Sequence, residues 1–381
     1  MELETRCIHG SIPQKLEDLN RSISFPIYQT ASFSHIRTGH NENGFDYTRE
    51  SNPTRQHTEE VVASLEKAEY AIAFTSGMAA VSAVMELFSP DDEIICSDDL
   101  YGGVVRLHDT ISRKNGITVS YTDTSSISNI AELVNGNTKA VYIETPSNPM
   151  MHITDIRRTA EFVHSRGILL IIDNTFLSPF FQNPLELGAD IVIHSGSKFL
   201  AGHNDTISGF VCTNDHSIAE KVRLVSKTTG AALSPFDSWL VMRGLKTLSV
   251  RMKQQQENAL AVCRFLTSHS KIKHIYYPGL PEHKGYEINN SQARGSGSMI
   301  SFIVDSAETA GNVLKKVRVI TFAESLGGTE SLITYPVLQT HPDVPEKTRK
   351  KLGITDKLLR LSVGLESADD IIADLKQALE G

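Results

Sequence analysis

Gly167-Ile168-Leu169-Leu170-Ile171-Ile172-Asp173 is the stretch on which the fold turns. Its apolar residues run without interruption, so neither face of an extended chain is left polar. That pattern marks a strand buried on both sides, as in parallel sheets layered between helices. Working outward, Glu93–Ser97, Thr118–Thr122, Ala140–Glu144, Ile191–Ser195 and Ser208–Thr213 read as further strands. Between them, Val81, Val84, Met85 and Phe88, and again Ile156, Ala160 and Val163, repeat at helical spacing. Repeated strand-then-helix units predict an α/β fold: a mostly parallel sheet with helices on both faces.

The ends of the chain read differently. The first fifty residues are polar, contain Pro13 and Pro26, and read as an arm. A helix is expected from Asn52-Pro53-Thr54, with Thr54 as its N-cap and Val61, Leu65 and Ala68 on one face. After about residue 235 a long helical stretch carries Val241, Leu245, Leu248 and Met252 and continues to about Ser268. Strands at Ile272–Tyr276, Met299–Val304, Arg318–Phe322 and Leu358–Val363 follow, then a last helix with Ile371, Leu375 and Leu379. The expected division is an arm (1–50), a large α/β domain (51–240) and a smaller α+β domain (241–381).

Composition narrows the function. Of 381 residues, 40% are hydrophobic and 22% charged, which is ordinary for a globular chain. With 37 basic and 45 acidic residues the net charge is −8, which gives no electrostatic reason to bind nucleic acid or an anionic membrane. No apolar run approaches the roughly 18–20 residues of a membrane span. The N-terminus has no apolar core of a secretory signal, so a cytoplasmic location is expected. Cys7, Cys96, Cys212 and Cys263 are too scattered for a disulfide framework or a zinc knuckle, and fourteen histidines show no zinc motif. The acidic residues Asp91, Asp92, Glu93, Asp98 and Asp99 bracket a strand and read as solvated loops rather than metal ligands.

Ligands of open α/β sheets sit beyond the carboxyl ends of the strands. The residues there are Glu144-Thr145-Pro146-Ser147-Asn148-Pro149, Asp173-Asn174-Thr175 and His194-Ser195-Gly196-Ser197-Lys198. Ser76-Gly77-Met78 precedes a helix, so it is either an ordinary helix start or a seat for a single phosphate. A P-loop and a Gly-x-Gly-x-x-Gly are both missing, which disfavours a nucleotide fold and a nicotinamide oxidoreductase. Lys198 reads as a solvated loop residue or, beside a phosphate, as a Schiff-base amine. Asp173 either caps a turn or pairs with a protonated pyridine nitrogen.

Eight ordered motifs make the pattern recognisable. They are Tyr47-Thr48-Arg49, Ser76-Gly77-Met78, Asp99-Leu100-Tyr101-Gly102-Gly103, Glu144 to Pro149, Asp173-Asn174-Thr175, Ser195 to Lys198, Glu324-Ser325-Leu326-Gly327-Gly328 and Arg360-Leu361-Ser362-Val363-Gly364. With these the chain resembles the Cys/Met-metabolism enzymes of the pyridoxal-phosphate-dependent fold type I class, in their cystathionine γ-synthase and γ-lyase branch. One departure is that the family writes Ser-x-Thr-Lys where this chain has Ser195-Gly196-Ser197-Lys198. Serine keeps the hydroxyl and loses only a methyl.

The resemblance implies pyridoxal 5'-phosphate as cofactor, held covalently by Lys198, which then shuttles protons. Asp173 would pair with the pyridine nitrogen, Asn148 would lie near the ring hydroxyl, and Tyr101 would stack on the ring. Gly77, Met78, Ser195 and Ser197 would cradle the phosphate. Tyr47 and Arg49 would reach the phosphate of a neighbouring subunit, within a homotetramer built from site-sharing dimers. Arg360, helped by Ser325 and Asn148, would bind the substrate carboxylate. Glu324 would meet the ammonium at the far end of cysteine or cystathionine. Bacterial β-lyases carry an aromatic residue there and a Trp-Gly-Gly, against Leu326-Gly327-Gly328 here, and Gly103 stands where methionine γ-lyases carry cysteine. The leading expectation is γ-replacement, O-acylhomoserine and cysteine giving cystathionine. Ile333-Thr334-Tyr335-Pro336 with Gln339-Thr340-His341 resembles the synthase-type sequences of bacterial methionine synthesis. Cystathionine γ-lyase is the second reading, followed by β-lyase, sulfhydrylase and methionine γ-lyase.

Overall fold

Buried β-branched and leucine runs build two sheets in this computed structural model, which describes residues 1–10, 22–38, 44–342 and 344–381. The first sheet contains β1 (Tyr70–Phe74), β2 (Glu93–Ser97), β3 (Thr118–Thr122), β4 (Thr138–Glu144), β5 (Leu169–Asp173), β6 (Ile191–Ser195) and β7 (Gly209–Thr213). Their spatial order is β1-β7-β6-β5-β4-β2-β3. Strands β3, β2, β4, β5 and β6 pair in parallel, whereas β7 is antiparallel to both β6 and β1. The decisive run is covered on both faces, as expected. Leu170 and Ile172 join one apolar cluster with Val141 and Val192, and Ile171 joins another with Tyr142 and Ile193.

The second sheet contains β8 (Ile272–Tyr276), β9 (Met299–Val304), β10 (Thr321–Phe322), β11 (Leu332–Thr334) and β12 (Leu358–Ser362). Its order is β10-β11-β12-β9-β8, antiparallel except between β10 and β11. The helices Leu248–Ser268 and Ala368–Glu380 bury Val262, Leu266, Ile371 and Leu375 against Phe302, Leu359 and Leu361.

The structure corrects several readings. The N-cap of the helix Pro53–Glu66 is Asn52, whose side chain accepts from Thr54 N at 2.9 Å. Thr54 instead spends its hydroxyl on the incoming chain, donating to Pro26 O at 3.0 Å and accepting from Tyr28 N at 2.9 Å. Ala68 lies past the helix end, which Lys67 closes in a left-handed conformation. The strand expected at Arg318–Phe322 shrinks to two residues. The N–H groups of Arg318, Val319 and Ile320 are taken by the carboxylate of Asp374 at 2.8–2.9 Å. The first residues are not all arm. Leu3–His9 is a helix that buries Cys7 in the same apolar cluster as Val61, and Arg6 donates to Ser64 O at 3.1 Å. Pro13 lies outside the described residues.

Candidate active site

The carboxyl ends of β4, β5 and β6 open onto a cavity of about 520 Å³, closed on its other side by the loop before β11 and by β12. Gly77, Met78, Tyr101, Asn148, Asp173, Ser195, Ser197, Lys198, Glu324, Ser325 and Arg360 all line it. Sequence positions more than 280 residues apart thus meet at one rim, because the second sheet folds back over the strand ends of the first. Tyr47 and Arg49 are not brought there. Arg49 donates to Lys227 O at 2.5 Å, its guanidinium 5.5 Å from the exposed Tyr47 ring.

Lys198 follows the tip of β6, and its Nζ donates to Ser325 Oγ at 2.8 Å. Burial pushes its amine down to about 8, assisted by the Arg360 charge and opposed by Glu324. Ser325 sits at φ 107°, a conformation costly for a residue with a Cβ. Two bonds hold it there: its hydroxyl takes Lys198, and its carbonyl takes Arg360 Nη2 at 3.2 Å. Arg360, from the middle of β12, is 2% exposed. Its Nη1 donates to Asn148 Oδ1 at 2.8 Å and its Nη2 also to Thr334 Oγ1 at 3.2 Å. Its buried Nε has no partner among the described residues, leaving a donor that a carboxylate could satisfy.

Asp173 ends β5. It accepts from Thr175 N at 3.0 Å and, weakly, from Tyr142 OH at 3.4 Å. Burial pushes its carboxyl upward, against the pull of Thr175 and of His194. On the other face of the sheet His194 pairs with fully buried Glu66 at 2.7 Å. Tyr101 starts the helix Gly102–Leu107 and donates its N–H to Glu144 Oε2 at 3.0 Å. A Cβ on Gly103 would stand 2.5 Å from Tyr101 Cε1, so a side chain there would displace the ring.

The helix Gly77–Met85 is capped by Ser76, whose hydroxyl accepts from Ala79 N at 3.0 Å. The N–H groups of Gly77 and Met78, in its first turn, have no intrahelical acceptor and suit an anion. Close approach is needed to form this corner. A Cβ on Gly77 would lie 2.9 Å from Ser195 Cβ, and one on Gly209 would lie 2.2 Å from Ser76 O. Ser197 Oγ donates to Ser208 O at 3.2 Å and accepts from Ser208 N at 2.9 Å, which pins this turn to the start of β7. Thr175, Glu144, Asn204 and Thr206 also line the cavity without having been singled out as site residues. Thr175 had a legible signal in its place within Asp173-Asn174-Thr175, and its hydroxyl accepts from Ser195 N at 2.8 Å. Asn204 and Thr206 sit in the irregular loop after Lys198 and had none.

This fold and cavity bring an anion seat, a lysine amine of lowered basicity and a buried guanidinium to one rim. Residues 4–380 match the family "Cys/Met metabolism PLP-dependent enzyme", and the chain belongs to it. It is 45% identical over 370 residues to a cystathionine γ-synthase/O-acetylhomoserine (thiol)-lyase of Bacillus subtilis, covering 97% of this chain and 95% of that one. It is 42% identical over 378 residues to a cystathionine β-lyase of Lactococcus lactis, covering 99% of each. A crystal structure of cystathionine γ-lyase from Lactobacillus plantarum complexed with L-serine superposes with a TM-score of 0.96 at 42% identity, covering 100% of this chain and 99% of that one. The chain is therefore a pyridoxal-phosphate-dependent enzyme of the cystathionine type, in the fold type I class.

The residues present fit that cofactor. The glycine-lined corner at Gly77 leaves backbone N–H groups for a phosphate, Lys198 supplies an amine made readily neutral by burial, and Asp173 supplies a buried carboxylate for a ring nitrogen.

Proposed function

We propose that the enzyme runs γ-replacement: the thiol of L-cysteine displaces the acyloxy group from Cγ of an O-acylhomoserine, giving L-cystathionine and a carboxylic acid. One observation carries this reading. The same cavity is lined by Arg360, buried with an Nε–H that has no partner among the described residues, and by Glu324, which is solvent-exposed. A guanidinium within and a carboxylate at the mouth suit a reaction whose two amino-acid partners present a carboxylate and an ammonium.

Gly77, Met78, Ser195 and Ser197 would hold the cofactor phosphate, Lys198 its aldehyde carbon, and Asp173 its ring nitrogen. Once bound, pyridoxal 5'-phosphate supplies an electron sink that acidifies first the Cα and then the Cβ proton, so that a Cγ substituent can depart. Lys198 Nζ takes and returns those protons, oriented by its bond to Ser325 Oγ. Arg360 fixes the substrate carboxylate, and Asn148, bonded to Arg360, keeps the guanidinium in place. Tyr101 covers the ring face, and Glu324 receives the cysteine ammonium. The wider proposal is a cytoplasmic homotetramer of site-sharing dimers acting in methionine biosynthesis, with the arm, large and small domains divided near residues 50 and 240.

Product analysis tests the reaction. One tube holds enzyme, O-acetylhomoserine and cysteine, and a second holds cystathionine alone. Cystathionine accumulating in the first with little breakdown in the second is the expected result. Rapid 2-oxobutanoate and cysteine from the second would instead establish a γ-lyase, and pyruvate with homocysteine a β-lyase.

A further inference from the structure

Gln339-Thr340-His341 lies in the loop between β11 and the helix Glu346–Leu352, and the reaction outlined above gives His341 no task. Yet His341 is 1% exposed and makes three side-chain hydrogen bonds. Its Nε2 is 3.0 Å from Leu100 O and 3.1 Å from Asn148 O, and its Nδ1 is 2.7 Å from Thr340 Oγ1. Carbonyl oxygens only accept, so Nε2 carries the proton and shares it between them. Nδ1 is then the acceptor for the Thr340 hydroxyl, which fixes both tautomer and ring orientation. Burial lowers the imidazole to about 4, with Arg360 adding to the effect, so the ring is neutral through the working range of pH.

The two carbonyls belong to the loops that matter. Leu100 immediately precedes Tyr101, and Asn148 is the residue whose Oδ1 receives Arg360 Nη1 at 2.8 Å. A second observation shows how closely these loops meet. A Cβ on Gly102 would stand 2.2 Å from Thr340 O, so the Tyr101 loop lies directly on the His341 loop. The His341 loop is itself braced: Tyr335 N donates to Gln339 Oε1 at 2.7 Å, and Arg349 Nη1 to Val337 O at 2.5 Å.

We propose that His341 is a positioning residue, whose single shared N–H ties the Tyr101 loop and the Asn148 loop to the C-terminal part of the chain. It touches neither reacting atom nor cofactor seat, and it acts through the placement of the Tyr101 ring and of Asn148 on Arg360. The proposal rests on the cavity being the cofactor and substrate site.

The test compares holoenzyme with His341→Leu, His341→Gln and Thr340→Val. His341→Leu removes the donor, whereas the Gln side chain can return one N–H to the same carbonyls. The expected result is a fall in kcat/KM on the order of a hundredfold for His341→Leu, the scale for a misplacement of about 1 Å. Most of it should be recovered in His341→Gln, and Thr340→Val should fall between them. Hydrogen exchange of segments 99–107 and 146–152 should quicken in His341→Leu and return toward wild type in His341→Gln. Unchanged exchange in both segments would overturn the proposal, as would equal impairment of the Leu and Gln variants. Should His341→Leu fail to fold, unchanged exchange and kinetics in Thr340→Val would overturn it equally. Exchange is read without substrate, so a wrong assignment of the reaction would leave this result standing on its own.

Discussion

A lysine amine attacks an aldehyde only when it is neutral, and Lys198 is built for that. Burial and the neighbouring Arg360 disfavour its charged form, so the amine deprotonates near 8 rather than above 10. At pH 7 about a tenth of such amines are neutral, against roughly one in a few thousand for a solvated lysine. Capture of pyridoxal 5'-phosphate by cofactor-free enzyme should therefore accelerate about tenfold per pH unit up to about 8 and then level off. Stopped-flow absorbance of the bound cofactor against pH measures this; a rate still climbing through pH 10 would mean a solvated amine. At this scale the sequence was informative, because lysine, aspartate and arginine each fell in a recognisable motif. What was illegible is their mutual bonding. Nothing in the string placed Ser325, at positive φ, between the Lys198 amine and the Arg360 guanidinium.

At the scale of elements, the legible features were those with strong local signals. The doubly buried β5 and its parallel neighbours announced themselves through apolar runs. β1, with the sequence Tyr-Ala-Ile-Ala-Phe, and the three-residue β11 did not, since alanine favours strands little and three residues carry no period. The antiparallel sense of β7 was also missed, although the loop from Lys198 to Ser208 has no crossover helix, which a parallel pair requires. One element invites a direct test. Gly77 opens the helix Gly77–Met85. Alanine has the better helix propensity by up to about 1 kcal/mol. Yet its Cβ would meet Ser195 Cβ at 2.9 Å, so Ser195 or the helix start must shift and narrow the anion seat. Gly77→Ala should keep its melting temperature within a few degrees while losing cofactor on the order of tenfold more readily in equilibrium dialysis. Gly136→Ala, where the Cβ meets open space, is the control and should change neither. A Gly77→Ala variant that retains cofactor like wild type would remove the seat from this corner.

At the scale of the whole molecule, one chain leaves business unfinished. Ile23 is fully exposed, Ile36 is 73% exposed and Ile207, at the cavity, is 65% exposed. Tyr47 and Arg49 lie on the outside of their own chain, at Lys227. Only the resemblance pointed to their working in a partner's site; no pattern of charge or period could, because a contact between molecules would leave no such trace in one chain. Mixing two inactive variants separates the possibilities. If Arg49 acts across the dimer, a hybrid of Arg49→Ala and Lys198→Ala chains contains one site with both Lys198 and Arg49 intact, while the other site carries both defects. Random pairing makes half the dimers hybrid, each with one sound site of two, so activity should recover to about a quarter of wild type. If Arg49 acts within its own chain, every hybrid site keeps exactly one defect and nothing is recovered. Co-expression with two different affinity tags isolates the hybrid, in which the expected activity rises to about half of wild type per dimer. A hybrid no more active than its parents would place Arg49 in its own subunit's service and withdraw the shared site.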